Sequence, residues 1–247
     1  MTKFKLTALL KASSVAAAGL LAQHAAVAQQ SNVTIYGNLE QYVNYMRSSS
    51  GASLTSLEDG AMMRSRFGFR GVEDLGGGYA AKFQMESGFS TDTGTTADTS
   101  RFFDRQTWVG VATPVGEFRL GRQNSVLLSR GGYIDFTART LGSVVNAFGV
   151  PSRYDNDVSY QTPRFGGFSG EIHFAFPETP GTIARQAVYQ AAIDYTNDTV
   201  RLGYAALRGR PPAGAAYNKN VVYDNLFEPP RVSWRLFGLS QATTVET

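Results

Sequence analysis

"RFFDRQTWVGVATPVGEFRLGR", residues 101–122, decides the fold. Two runs alternate apolar with polar or small residues around a Thr-Pro-Val-Gly turn, and arginine recurs among the polar positions. A two-residue period is the mark of a β-strand with two unlike faces. In the first run Trp108 is expected opposite Arg105 and Thr107, which leaves Gln106 as a blemish on the apolar side. In the second, Phe118 and Leu120 oppose Glu117 and Arg119.

The same period recurs along the chain. Residues 33–45, "VTIYGNLEQYVNY", read as one strand with Ile35, Leu39 and Val43 on one face and Asn38, Glu40 and Tyr42 on the other. Phe67 and Phe69 oppose Arg66, Gly68 and Arg70. Ala81, Phe83, Met85 and Phe89 oppose Lys82, Gln84 and Glu86. Phe168, Ile172, Phe174 and Phe176 oppose Ser169, Glu171 and His173. Val200, Leu202 and Tyr204 oppose Arg201 and Gly203. Short links at 73–78, 113–117, 163–167 and 197–198 alternate with long ones near 46–63, 90–100, 123–153, 177–187 and 208–220. Strict alternation puts every short turn at one end of a sheet and every long loop at the other, the layout of outer-membrane barrels. The expected fold is therefore all-β, a transmembrane antiparallel up-and-down β-barrel. A soluble exported β-sandwich is the competing fold. Strands of about ten residues, the length a tilted membrane strand needs, weigh against it.

The leader is set apart first. Lys3, Lys5 and Lys11, an apolar stretch from Ala12 to Ala22 and the small-x-small site Ala26-Val27-Ala28 form an expected cleaved signal peptide over residues 1–28. Residues 29–247 form the expected barrel domain. The chain has 23 basic and 20 acidic residues; removing the three leader lysines leaves 20 of each, so the basic balance gives no sign of nucleic-acid binding. Cysteine is absent, which excludes disulfides and thiolate metal sites. No catalytic motif stands out: His173 has no serine or cysteine partner motif and reads as a polar lumen residue, and "GGG" at 76–78 reads as a turn. No cofactor and no metal are expected.

"VTIYGNLE", "SRFGFRGVEDLGGGYAAKFQMESGF", "DRQTWVGV", "FRLGRQ" and "DVSYQTPRFGGFSGE" resemble, in that order, the general porins of Gram-negative bacteria, the Bordetella and Burkholderia kind above all. The resemblance covers most of residues 29 to about 225. It implies trimers of barrels with about sixteen strands, set in the outer-membrane bilayer and open to small hydrophilic solutes and ions. It further implies that residues 123–153 fold inward to narrow the pore, opposite a ladder of arginines. On that resemblance Arg66, Arg105 and Arg153 form the ladder, with Glu86 beside it and Asp135 in the inward loop. Alternation by itself puts Arg66, Arg105 and Glu86 on the polar face, while Arg153 rests on resemblance. Arg70, Arg119, Asn38 and Glu40 are further lumen candidates. Ladders of fixed arginine favour anions, and with Arg130 and Arg139 in the inward loop against Asp135, a weak anion preference is expected. A barrel serving as adhesin or anchor stays open as an alternative, as does a soluble binding protein. About nine strands are legible to Leu207, and residues 217–227 start a tenth. Alternation is lost after about 227, where two prolines sit. The chain is accordingly expected to be incomplete.

Overall fold

Antiparallel pairing of neighbours in chain order builds almost the whole molecule. The computed structural model describes residues 32–134, 152–181, 183–209, 221–227 and 238–242. Its strands are β1 (Asn32–Asn38), β2 (Tyr42–Arg47), β3 (Ser53–Glu58), β4 (Arg66–Gly76), β5 (Tyr79–Gly88), β6 (Gln106–Thr113) and β7 (Gly116–Asn124). After helix α1 (Val126–Ile134) come β8 (Arg153–Gln161), β9 (Phe168–Ala175), β10 (Val188–Thr196), β11 (Arg201–Gly209), β12 (Val221–Phe227) and β13 (Gly238–Ala242). One sheet of eleven strands runs β1-β4-β5-β6-β7-β8-β9-β10-β11-β12-β13, and β2 pairs with β3 in a separate hairpin. Among the described residues this sheet has the expected nine strands as far as β11, the tenth, expected over 217–227, is described as β12 from Val221 on, and β13 adds an eleventh. Among the described residues, β1 and β13 each have one neighbour.

Two expectations need correction. The first is the single strand over 33–45. The ladder stops at Asn38, and the chain leaves in the β2–β3 hairpin before returning as β4. Side chains stitch the break: the Glu40 carboxylate accepts from the backbone amides of Met62 (2.7 Å) and Met63 (2.5 Å), and Ser65 Oγ accepts from Glu40 N (2.9 Å). Alternation carries on in phase across this corner, so the period alone does not reveal it.

The second is Trp108. Register carries the row Thr34, Arg70, Gln84, Trp108, Gly121, Asp157, Ala175 across seven strands, and facing residues share a side. Trp108 thus sits on the polar side together with Gln106, and Thr107, Val109 and Val111 form the other. Gly121 explains its fit: a side chain there would collide with the Thr107 carbonyl and press on the Trp108 backbone, and its φ of +128° is one that glycine adopts freely.

The next row over is Val33, Gly71, Phe83, Val109, Leu120, Val158, Phe174, Tyr189. It is apolar throughout and outward. Ile35 is 74% exposed and Ile172 59%, whereas Asp157 is 0% and His173 5% exposed. Water-soluble folds bury the first kind and expose the second; here the order is inverted. Cross-strand ring pairs such as Phe118–Tyr160 (4.6 Å between centroids) and Phe174–Tyr189 (5.2 Å) tile the outer surface. The strands β4 to β11 run 8–11 residues, the length a tilted strand needs to cross a bilayer. The eleven strands are the wall of a transmembrane up-and-down β-barrel.

Helix α1 marks the inside. Ser125 caps it, its Oγ accepting from Leu128 N (3.0 Å), as a serine before a helix does. Val126 and Leu127 pack into a buried cluster with Tyr154, Ala175, Val188, Ala192, Ala205 and Leu207, all on the polar side of the sheet. The segment after β7 therefore folds over the inner wall.

Candidate functional site

The inner face is a wall of paired charges. At its loop end Glu86, on β5, is buried; its Oε1 accepts from Arg105 Nε (2.5 Å) and its Oε2 from the Tyr36 hydroxyl (2.9 Å). Gln84 Nε2 donates to that same hydroxyl (2.6 Å). Arg153 opens β8 opposite Asn124. The charges that act on it are those of Arg105, Arg122, Glu86 and Asp104. The structure thus brings Arg105, Arg153 and Glu86 together and adds Arg122, which donates to Asp104 O (2.6 Å) and Asp155 Oδ1 (2.6 Å).

Arg66 stands in the adjoining row, between Asn38 and Gly88, and its Nε donates to Arg64 O (3.0 Å). The Arg105 side chain lies over the same Gly88. Asn38 turns its amide to the Met63 and Arg64 carbonyls (3.1 and 3.4 Å). Glu40 lies beyond the end of β1 and binds loop amides instead of standing on the ladder. Asp135 lies outside the described residues.

Towards the short-turn end the wall changes character. Arg119 lies over the Trp108 ring (4.5 Å) and Arg70 over the Tyr36 ring (5.4 Å), cation–π contacts inside the lumen. Glu117 joins Lys82 (2.7 Å) and Arg119 (2.6 Å). At the opposite end, in the loop before β6, Arg101 bridges Asp98 (2.9 Å) and Asp155 (2.8 Å). The Asp98 carboxyl is held down at about 2, first by the Ser100 hydroxyl and amide and then by Arg101.

Sequence reasoning did not assemble the set beneath α1. Arg130 NH2 meets Asp194 Oδ2 (2.7 Å), and Arg130 NH1 pairs with Glu171 Oε2. His173 lies between Asp157 Oδ2 (2.6 Å at Nδ1) and Glu171 Oε1 (2.8 Å at Nε2). These residues come from α1, β8, β9 and β10. Alternation does put Glu171 and His173 on one polar face; their convergence with Arg130 is a contact across 41 residues of chain.

A sheet with apolar side chains outside, charged ones inside and a helix folded over the inner wall defines the wall of a membrane β-barrel. The match to the family model described as Gram-negative porin extends over residues 7–236. The chain belongs to that family. It is similar to an outer membrane porin protein of Bordetella pertussis, 34% identical over 65% of this chain and 47% of that one. Outer membrane porin protein 32 of Delftia acidovorans is 35% identical over 68% and 50%. Among solved structures, an anion-selective porin from Comamonas acidovorans superposes with a TM-score of 0.66 at 28% identity, over 80% of this chain and 62% of that one. The chain spans about half the length of these curated relatives.

Proposed function

We propose that this chain forms the wall of a water-filled diffusion pore of the outer membrane, through which small hydrophilic solutes and ions pass passively with a weak anion preference. One observation carries it: the inner face holds its arginines in fixed positions while the outer face is apolar row after row. Fixed guanidinium groups along a narrow passage stabilise a passing anion and repel a cation. Arg105, Arg122 and Arg153 gather there beside the acids Glu86, Asp104 and Asp155, which keeps the preference weak. The anion-selective neighbour from Comamonas acidovorans supports the same sign.

Arg66, Arg105, Arg153 and Glu86 are the proposed constriction wall, and Asp135, outside the described residues, is proposed to act with them. Arg70 and Arg119 continue the wall below, and Asn38 and Glu40 shape its rim. No reaction is assigned to the chain. The family resemblance supports a homotrimer, which light scattering of the protein–detergent complex tests. For the pore itself, the protein extracted in detergent is recorded in planar bilayers across a KCl gradient. A reversal potential on the chloride side is expected. A potassium-side potential overturns the anion reading, and absence of channels overturns the pore.

A further inference from the structure

Arg208 stands on the outward face. The apolar row that starts at Val33 reaches Tyr189 on β10 and ends, one strand further, on Arg208 of β11. Along β11, Leu202, Tyr204, Ala206 and Arg208 face one way, while Gly203, Ala205 and Leu207 are buried on the other. Arg208 is thus on the lipid side, and it is exposed. An arginine facing lipid is costly at mid-membrane and nearly free at the interface. Arg208 lies where β11 meets the long link to β12, at the end where an outer-membrane barrel carries its external loops. The rings of Phe176, Phe174 and Tyr189 meet in a chain beside it (4.8 and 5.2 Å between centroids), as in the aromatic girdles that mark a membrane interface.

Beneath Arg208 the outer surface is hollowed. Ala191 and Ala206 face each other across β10 and β11, between the pair Tyr189 and Arg208 above and the pair Ile193 and Tyr204 below. Two methyl groups among larger side chains leave a groove of about 620 Å³, almost wholly apolar and walled by Ile172, Phe174 and Tyr189. It runs from Phe118 on β7 to Arg208 on β11, across four strand intervals, or about 19 Å. Slanting with the tilt of the strands, it descends close to the roughly 15 Å of one leaflet's hydrocarbon. A groove of that length takes one acyl chain. The guanidinium at its upper end offers paired N–H donors, the geometry that a phosphate accepts. Fluid hydrocarbon wets any outward surface, and the charge at the head of this groove selects which lipid stays.

We propose that the groove holds one phosphorylated glycolipid of the outer leaflet, its phosphate on Arg208 and an acyl chain over Ala191 and Ala206. This needs the barrel and its outer membrane, not conduction. The full chain is folded in detergent and checked by heat-modifiable migration. Native mass spectrometry then reads the lipid retained from micelles of bisphosphorylated lipid A, against the same lipid with its phosphates removed. The wild type is expected to keep one lipid A with a preference of roughly fivefold, as one basic side chain at an anionic membrane surface contributes. R208A brings the two lipids level, and R208K keeps part of the preference. A206W fills the groove on the lipid side and lowers retention of both lipids alike. If R208A does not fold, R208Q carries the same expectation. Equal retention of the two lipids by the wild type overturns the proposal, as do charge and groove variants that bind as the wild type does. An oligomer that R208A or A206W takes apart assigns the groove to a second copy of the chain and overturns the lipid. Silence of the same preparation in planar bilayers overturns the pore reading alone.

Discussion

The inner wall uses the same residue types in two settings. On the β4–β7 side Lys82 and Arg119 share Glu117 with their own side chains 31% and 30% exposed. On the β8–β11 side Arg130 shares Glu171 and Asp194 at 8% exposure, beneath a helix. Water reaches the first group and is displaced from the second by α1. Ion pairs that water can reach contribute about 0–1 kcal/mol, so the first set is free to serve passing solutes. A buried set that loses one partner costs about 3–5 kcal/mol, so the second is a fixture. Cover, more than charge type, separates lining from anchor.

The sharpest way to break this comparison is to remove one acid from each side. Asp194→Ala leaves Arg130 with a single partner under α1 and is expected to lower stability by about 3–5 kcal/mol. Glu117→Ala is expected to cost about 1 kcal/mol or less. Urea titration of the folded band on unheated gels reads both, and equal losses abolish the distinction. Neighbouring residues of β1 test the faces on which both halves depend. Ile35→Lys puts a charge towards lipid and is expected to cost about 2–4 kcal/mol near mid-membrane, whereas Thr34→Lys, one residue earlier and facing in, is tolerated. Similar costs at both positions remove the inside-out assignment.

A smaller effect sharpens the solvated half. Arg119→Gln removes the cation over Trp108, a contact of about 0.5–1 kcal/mol at an exposed site. The variant should fold normally and shift the reversal potential towards potassium; an unchanged potential removes Arg119 from the solute path. The smallest effect is in the loop before β6. Asp98 is held at about 2 against an ordinary 3.8, so its pairing persists above 3.8 and is lost as pH falls through about 2. A carboxyl carbon shift titrating near 2 agrees with this, and a midpoint near 3.8 refutes the Ser100 and Arg101 contacts.

Alternation made most of the wall legible before any coordinates. Lys82, Gln84 and Glu86 face in and Phe118 and Leu120 face out because lipid and water impose opposite demands on successive residues. Trp108 was not legible: an indole among valines reads as lipid-facing, and only the register with Gln84 and Gly121 reveals its side. The corner at Glu40 escaped because the hairpin resumes in the same phase. The seat of α1 escaped for a different reason. Alternation assigns a face, but which side chains on that face meet depends on strand order and on a loop folding back. Of the proposed ladder, Arg105 was grouped by alternation with Thr107, which faces out, so its pairing with Glu86, like the neighbours of Arg153, becomes visible only once the strands lie side by side.

The outward rows also bear on how such a chain travels. Their grease is spaced at every second residue, and among the described residues no helix is long and apolar enough to cross a membrane. A translocation machine that scans for continuous oily segments therefore meets none in the strands and lets them through. Only when neighbouring strands zip together do the scattered side chains merge into a belt that dissolves in lipid. The passport for one membrane and the anchor in the next are written in the same letters.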